Sequence, residues 1–306
     1  MIEVSIIIVT YQSENDIEPC LKSIYDCTID IEFEIIVIDN ASIDNTLHII
    51  KQNFPKVILF QNKSNLGFSK ANNKAVSASS GKYLFFINPD AILVENSIKI
   101  LLSNYTKEHN SGILGPEINN SDGSIQLSTG HLPSLYTTLY EIFGLYLIFP
   151  NSYFGYRIIP DKRKESMLVG WVSGACFLVS KECYDKIGGF DKNYFMYMED
   201  VDFCRRIQLL KKKIVYTKST KVVHMKAQSS KKNRYHASIA SYYSKLYYHK
   251  KYDGQVVFYG LVPILFIASV IKLFALIITM KSKDKIRSQY RVIKSLVKIN
   301  NISLNK

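Results

Sequence analysis

Residues Val4–Thr10 read Val-Ser-Ile-Ile-Ile-Val-Thr, a nearly unbroken apolar and β-branched run that stops at Tyr11, Gln12 and Ser13. A strand with one wet face would alternate, and this one has no polar side to offer water. It fits a strand covered on both faces, which points to a parallel sheet held between layers of helices. The following stretch keeps that rhythm. Residues 16–26 predict a helix with Ile17, Leu21, Ile24 and Tyr25 at its apolar positions. Residues 34–38 predict a second buried strand, stopping at Asp39-Asn40, and Asp44 is placed to cap a helix over residues 45–53. Residues 57–60 predict a third strand and residues 69–79 a small-residue helix closed by Gly81. Tyr83–Ile87 predicts a fourth strand, which runs into Asn88-Pro89-Asp90. This alternation defines an α/β chain with a single, mostly parallel, Rossmann-like sheet flanked by helices.

In open sheets of this kind, ligands gather beyond the carboxyl ends of the strands. Three polar tracts fall there: Thr10-Tyr11, Asp39-Asn40 and Asn88-Pro89-Asp90. Any one of them is explained as turn chemistry. Three from separate strands converging on one edge define a candidate site.

Further along, residues 132–160 are rich in Tyr, Phe, Leu and Pro without a clear period, and predict a loop with short helices that could cover an acceptor. Residues 169–180 predict a strand containing Gly170 and Gly174, residues 199–210 a helix, and residues 213–217 and 221–224 two further strands. With no internal repeat and no long linker, the expected organisation is a catalytic domain over residues 1–230 and an appendage over residues 231–306.

The two parts differ in charge. Residues 1–210 hold 18 Lys and Arg against 24 Asp and Glu, a net charge of −6, whereas residues 211–306 hold 21 Lys and Arg against Asp253 and Asp284, a net charge of +19. So strong an excess suggests a polyanionic partner for the appendage, anionic lipid or nucleic acid. Residues 256–280 form a 25-residue apolar segment in which Lys272 is the one charge. As a helix it would extend about 37 Å, enough to cross a bilayer core. Six Lys and Arg precede it in residues 231–255 and eight follow in residues 281–306, so the positive-inside tendency keeps both flanks cytoplasmic. A re-entrant or interfacial helix pair bent near Pro263 meets that condition better than a single crossing. The plain alternative is a buried core helix. Tyr242, Tyr243, Tyr247 and Tyr248, with Lys245 and Lys250, fit a membrane-interface belt or a helix packing its aromatic residues inward.

The five cysteines are odd in number and include no CxxC pair. Zinc ribbons and disulfide frameworks are therefore not expected, and a reducing compartment fits best. Met1-Ile2-Glu3 leads directly into the first strand without the charged region of a signal peptide, so the cytoplasmic side of the membrane is the expected location.

An acidic domain cannot hold a polyphosphate by its own side-chain charge, and a divalent cation is the natural bridge. Mg²⁺ and Mn²⁺ prefer carboxylate oxygen. Asp90, at the end of an apolar strand, is placed to be such a ligand, with Pro89 fixing the turn and Asn88 adding a hydrogen bond. Glu199-Asp200-Val201-Asp202 sets three carboxylates in one turn at a helix start, where acids are favoured in any case. They follow the aromatic and Met-rich stretch of residues 194–198, which suggests a partly dry cleft. There a carboxylate pKa rises and the group can act as a general base. Arg205 and Arg206 could pair with Asp202, bind phosphate or face solvent. His224, at a predicted strand end, is a candidate metal ligand or a structural histidine.

Six stretches together carry a resemblance: residues 5–11 (Ser-Ile-Ile-Ile-Val-Thr-Tyr), 37–46 (Val-Ile-Asp-Asn-Ala-Ser-Ile-Asp-Asn-Thr), 65–73 (Asn-Leu-Gly-Phe-Ser-Lys-Ala-Asn-Asn), 86–91 (Phe-Ile-Asn-Pro-Asp-Ala), 170–175 (Gly-Trp-Val-Ser-Gly-Ala), and 188–191 with 197–206 (Gly-Gly-Phe-Asp and Tyr-Met-Glu-Asp-Val-Asp-Phe-Cys-Arg-Arg). In this order, over residues 4–225, the chain resembles family 2 of the inverting glycosyltransferases, whose fold is GT-A. It is most similar to the rhamnosyltransferase-like branch of bacterial surface-polysaccharide assembly. The resemblance implies that Thr10, Tyr11 and Asp39 hold the base and ribose of a nucleotide-sugar donor, and that Asn65, Gly67 and Asn73 shape the wall beside it. Asn88 and Asp90 stand where the family has its Asp-X-Asp metal motif, with one charged ligand fewer. The resemblance also implies Asp200 as the base acting on the acceptor hydroxyl, with Glu199 beside it. Trp171 and Gly174 would border the acceptor cleft. Asp90 and His224 would hold Mg²⁺ or Mn²⁺. The expected partners are a nucleotide-sugar donor (dTDP-rhamnose or a UDP-sugar), a lipid-linked saccharide acceptor and an anionic membrane surface, with no nucleic acid. The competing reading is a basic membrane- or nucleic-acid-binding protein whose nucleotide-sugar domain is inactive.

Overall fold

The computed structural model describes residues 2–145, 148, 157–158, 160–161, 163–225 and 234–298, which fall into two compact units. The expected domain boundary at residue 230, and much of the expected lid over residues 132–160, lie outside the described residues.

The first unit follows the alternation in the sequence. It runs β1 (Val4–Thr10), α1 (Ile17–Cys27), β2 (Phe33–Asp39), α2 (Thr46–Asn53), β3 (Ile58–Gln61), α3 (Gly67–Ser77), β4 (Tyr83–Ile87), β5 (Ala91–Leu93), α4 (Ser97–Lys107), β6 (Ser111–Asn119) and β7 (Thr129–Gly130). Helix α5 (Leu135–Ile142) belongs to the second unit. The first resumes with β8 (Ser166–Leu168), β9 (Trp171–Val172), β10 (Cys176–Ser180), α6 (Lys181–Lys186), α7 (Glu199–Leu209) and β11 (Lys213–His224).

Nine of these strands form one sheet in the order β3-β2-β1-β4-β10-β6-β11-β5, with β8 also on β11. β1 to β4 are mutually parallel, and so are β6 and β11. β10, β5 and β8 run against their neighbours. β1 is buried on both faces, as its composition requires. Ile6 and Ile8 pack with Ile35, Val37 and Phe85 and with Ile17, Leu21 and Ile24 of α1. Burying each such side chain contributes about 1.5–3 kcal/mol.

Two differences from the sequence reading matter for the site. The strand expected over residues 169–180 is broken into β9, which pairs with β7 in a separate two-stranded sheet, and β10 in the main sheet. The break at Ser173, Gly174 and Ala175 turns backbone groups away from the ladder and toward the site. The two strands expected near residues 213–224 are one strand, with a register shift between Thr217 and Lys221.

The second unit gathers α5, residues Met196–Met198 and three C-terminal helices: α8 (Arg234–Tyr252), α9 (Gln255–Ile278) and α10 (Lys283–Lys298). Its core contains Leu246, Phe258, Leu261, Val262, Leu265, Val292 and Leu296. α9 is one continuous helix through Pro263, so the expected helix pair bent at that residue is not formed. Pro263 removes a single N–H donor, and the flanking turns carry the helix across it. Tyr248 is buried, and Tyr242 and Tyr243 pack against this core. Tyr248 is therefore internal, while Tyr242, Tyr243 and Tyr247 stay partly exposed.

Candidate active site

Parallel pairing of β1 with β2 sets Thr10 opposite Asp39. Thr10 Oγ1 donates to Asp39 Oδ1 (3.1 Å), and the Ser42 N–H donates to Asp39 Oδ2 (2.9 Å). Both Thr10 and Asp39 are fully buried, while Tyr11 stays partly open. In this structure Thr10 and Asp39 therefore organise the strand-end loops, and Tyr11 is the member of the trio that faces outward.

Asn40 extends the same edge. Its Oδ1 accepts from Asn62 Nδ2 (2.9 Å), and its Nδ2 donates to the Gly67 carbonyl (3.3 Å). Asn65 Oδ1 accepts the Gly67 N–H (2.9 Å). Gly67 has φ +79°, and a Cβ there would lie 2.4 Å from the Phe195 carbonyl oxygen, so this position requires glycine. Asn73 is committed elsewhere: its Oδ1 accepts the Phe190 N–H (2.9 Å) and its Nδ2 donates to the Phe190 carbonyl (2.8 Å). It fixes the Gly188-Gly189-Phe190 turn, so its amide is held by backbone groups.

The tract after β4 meets the end of β11. Pairing of β5 with β11 puts His224 opposite Ala91. His224 Nε2 lies 3.0 Å from Asp90 Oδ1 and 3.4 Å from Asn88 Nδ2. Gln126 fixes the ring. Its Nε2 donates to the His224 carbonyl (2.7 Å), which leaves its Oε1 facing His224 Nδ1 (3.1 Å). Nδ1 must then carry the hydrogen, and the Nε2 lone pair points at a carboxylate unless a proton or a cation lies between them. This geometry fits a divalent cation. Two ligands on adjacent corners of an octahedron with bonds of about 2.1 Å lie about 3 Å apart, and Mg²⁺ commonly takes few protein ligands, completing its shell with substrate phosphate and water. Among the described residues, no group of three His, Cys, Asp or Glu surrounds this point.

The carboxylates of α7 lie across β10. Cys176 of β10 pairs with Ile87 of β4. One step on, the Asn88 N–H donates to the Ala175 carbonyl (2.9 Å), and the Gly174 N–H donates to Asp200 Oδ2 (2.9 Å). Neighbouring residues of one strand break thus hold both the Asn88–Asp90 tract and Asp200. A Cβ on Gly174 would meet Asp200 and Phe68 at ordinary contact distance, so the N–H is what this position supplies.

α7 is seated by Phe203 in an aromatic cluster with Phe177, Tyr184 and Phe190. Tyr197 (φ 70°) and Met198 (φ 64°) are both left-handed just before it, a backbone state that costs non-glycine residues free energy. Burial raises the Asp200 pKa above the usual carboxylate value, opposed by the N–H groups of Gly174 and Val201 and by the charge of Arg157. Glu199 is raised further, by burial and then by the charge of Asp200, and its Oε2 has no hydrogen-bond partner. Arg206 pairs with buried Asp202 (2.7 Å) and donates to the Ile187 and Gly189 carbonyls, which makes it a brace for the turn. Trp171 is buried in β9, opposite Gly130.

Gln126 and Arg157 are not expected at the site from the sequence, and Asn40 is expected at a strand end without a role. Asn40 carried a signal, because it directly follows Asp39 at a strand end. Gln126 and Arg157 carried none, being remote in sequence from the groups they act on.

Asp90 with His224 on one side of a strand break and Asp200 on the other, at the carboxyl edge of an open, mostly parallel sheet, sit in a GT-A-like fold. Solved structures agree at the level of fold. S. aureus TarS in complex with UDP superposes with a TM-score of 0.53 at 19% identity, covering 78% of this chain and 64% of that one. GalNAc-T7 with UDP, GalNAc and Mn²⁺ gives a TM-score of 0.57 at 16% identity, covering 75% and 45%. The chain belongs to glycosyl transferase family 2, whose model matches residues 5–188, and it is a glycosyltransferase. An N-acetylglucosaminyl-diphospho-decaprenol L-rhamnosyltransferase of Mycobacterium tuberculosis is 32% identical over 240 residues, which cover 74% of this chain and 76% of that protein.

Proposed function

We propose that this enzyme moves a sugar, rhamnose from dTDP-rhamnose or a hexose from a UDP-sugar, with inversion onto a lipid-linked saccharide in bacterial cell-surface polysaccharide synthesis. The observation that carries the reading is the strand break at residues 173–175, which holds Asp200 on one side and the Asn88–Asp90 tract on the other. Asp200 takes the proton of the acceptor hydroxyl. The freed oxygen attacks the anomeric carbon as the bond to the nucleoside diphosphate breaks, and the leaving group departs with the electron pair. A single displacement of this kind inverts the anomeric centre. Asp90 and His224, with Asn88 beside them, would hold Mg²⁺ or Mn²⁺, which when bound offsets the charge of the leaving diphosphate. Tyr11, Asn65 and Gly67 would border the donor on the loops ordered by Thr10, Asp39 and Asn73, and Trp171 with Gly174 would border the acceptor.

The diphospho-decaprenol acceptor in the name of the mycobacterial relative supports a lipid-linked acceptor here. The helical unit supports an anionic membrane at the cytoplasmic face. α9 is long and apolar enough to cross a bilayer by length and composition, and α10 exposes Lys283, Lys285, Arg287, Arg291 and Lys294.

The test is release of nucleoside diphosphate across a donor panel in the presence of crude lipid-linked acceptor. Acceptor-dependent release from one donor, lost with EDTA and restored by Mg²⁺ or Mn²⁺, is expected. Release that EDTA leaves unchanged would remove the metal role of Asp90 and His224. Binding to oligonucleotides in preference to anionic liposomes would favour the nucleic-acid reading of the basic region.

A further inference from the structure

A ladder of short contacts leads from the base to Arg157. The Gly174 N–H holds Asp200, and the Ser173 N–H donates to the Ser128 carbonyl (2.8 Å). β9 pairs with β7, setting Trp171 opposite Gly130. On its other edge Gly130 forms an antiparallel bridge with Arg157, and the Ile158 N–H donates to the Thr129 carbonyl (3.0 Å). Three segments thus lie side by side. With neighbouring strands about 4.8 Å apart, the Arg157 backbone is about 10 Å from the segment that holds Asp200. Directly opposed residues of antiparallel strands share a face. Trp171 and Arg157 therefore flank Gly130 on one face, and the middle position carries no side chain. Arg157 is exposed, and its Nη1 donates to the Leu127 carbonyl (3.4 Å).

The charge around the base makes this arginine stand out. Glu199, Asp200 and Asp202 crowd one helical turn, and Arg206 is occupied by Asp202 and two carbonyls. An acceptor bearing phosphate would be repelled from such an edge without a counter-charge. The charge of Arg157 acts on Asp200, opposing the rise that burial gives its pKa, and a guanidinium matches phosphate oxygens with paired donors that a lysine lacks.

We infer that the exposed Arg157, on the segment next to Gly130, binds the diphosphate of a lipid-linked acceptor, while the acceptor sugar presents its hydroxyl to Asp200. This rests on the transfer reaction proposed above and adds the recognition of the acceptor's charge.

The full chain would be assayed in neutral detergent with two acceptor probes, N-acetylglucosaminyl diphosphate carrying a short prenyl chain and octyl N-acetylglucosaminide, which has no phosphate. The readout is the ratio of their KM values. Arg157→Ala is expected to raise the KM of the diphosphate probe relative to the neutral one by at least about tenfold, the loss of one charge-assisted contact, and Arg157→Lys to recover part of it. A ratio moved by less than about twofold would overturn the assignment, as would a loss confined to the KM of the donor. A wild-type enzyme that used both probes with the same KM would instead remove the diphosphate-linked acceptor, leaving the glycosyltransferase reaction in place. A titration with geranyl diphosphate reads the site without turnover. Binding about tenfold weaker in Arg157→Ala is expected, and equal binding, or none by the wild type, would overturn the proposal. Repeating it with vesicles of anionic lipid separates a headgroup from the diphosphate, because a headgroup site would lose vesicle binding in Arg157→Ala.

Discussion

The two units solve opposite problems with their polar and apolar residues. In the first, polar side chains are buried and tied down: Asp39 to Thr10 and Ser42, Asn40 to Asn62 and Gly67, Asp202 to Arg206. In the second, apolar side chains are left in the open. α9 turns Phe258, Leu261, Val262 and Leu265 inward and exposes Ile267 (54%), Ile271 (57%), Phe274 (60%) and Ile278 (77%). The exposed set recurs at steps of four, three and four, a continuous stripe along one helix face. Buried polar networks hold groups in fixed geometry, which chemistry requires. An exposed apolar stripe beside basic helix residues suits an anionic lipid surface. The difference supports the proposal that one unit carries the chemistry and the other the membrane contact.

That division can be broken experimentally. The largest effect expected is from Asp200→Asn, which should lower transfer by about 10²–10⁴-fold, the usual worth of a general base, while liposome binding persists. Loss of both would mean that the units do not divide the work. Because burial raises the Asp200 pKa, wild-type activity should fall as pH drops through that raised value, where the base becomes protonated. A profile that stayed level down to the ordinary carboxylate range would argue against Asp200. A middle-sized effect is expected from Ile271→Asp with Phe274→Asp. Each charge placed in the stripe costs about 2.5–3.5 kcal/mol of lipid insertion, so sedimentation with anionic liposomes should be lost while acceptor-independent donor hydrolysis continues. The smallest effect is on stability. Glu199 has a raised pKa in the folded protein, so its contribution is present at low pH and is lost as pH rises through that value. Glu199→Gln removes the buried charge and should raise Tm by about 2–4 °C, the shift expected for about 1 kcal/mol in a unit of this size. The gain should be larger in alkaline than in mildly acidic buffer, and a gain independent of pH would show that the carboxyl is not the cause.

Much of the first unit was legible because its signals are local. β1 and β4 have the bounds their apolar runs predict, and α7 begins at Glu199. The strand-end tracts lie on one edge because parallel pairing leaves no other arrangement. The break in residues 169–180 was not legible, because an apolar run with two glycines looks the same whether it stays in one sheet or passes between two. Ser97–Lys107 and Ser111–Asn119 form a helix and a strand that the reading did not place.

The chain by itself determined its α/β class, the convergence of Asp39, Asn88 and Asp90 on a sheet edge, the carboxylates at the start of α7 and the shift from acidic to basic composition. Hydrophobic periodicity and charge act between neighbours in sequence, so they can be seen without a fold. Tertiary structure alone decided that Gln126 orients His224 toward Asp90, that Gly174 offers its N–H to Asp200, that Arg157 lies two strands from the segment that holds Asp200, and which face of α9 is covered. Each of these is a contact between residues far apart in the chain, set by strand register and helix packing, and no local pattern encodes it.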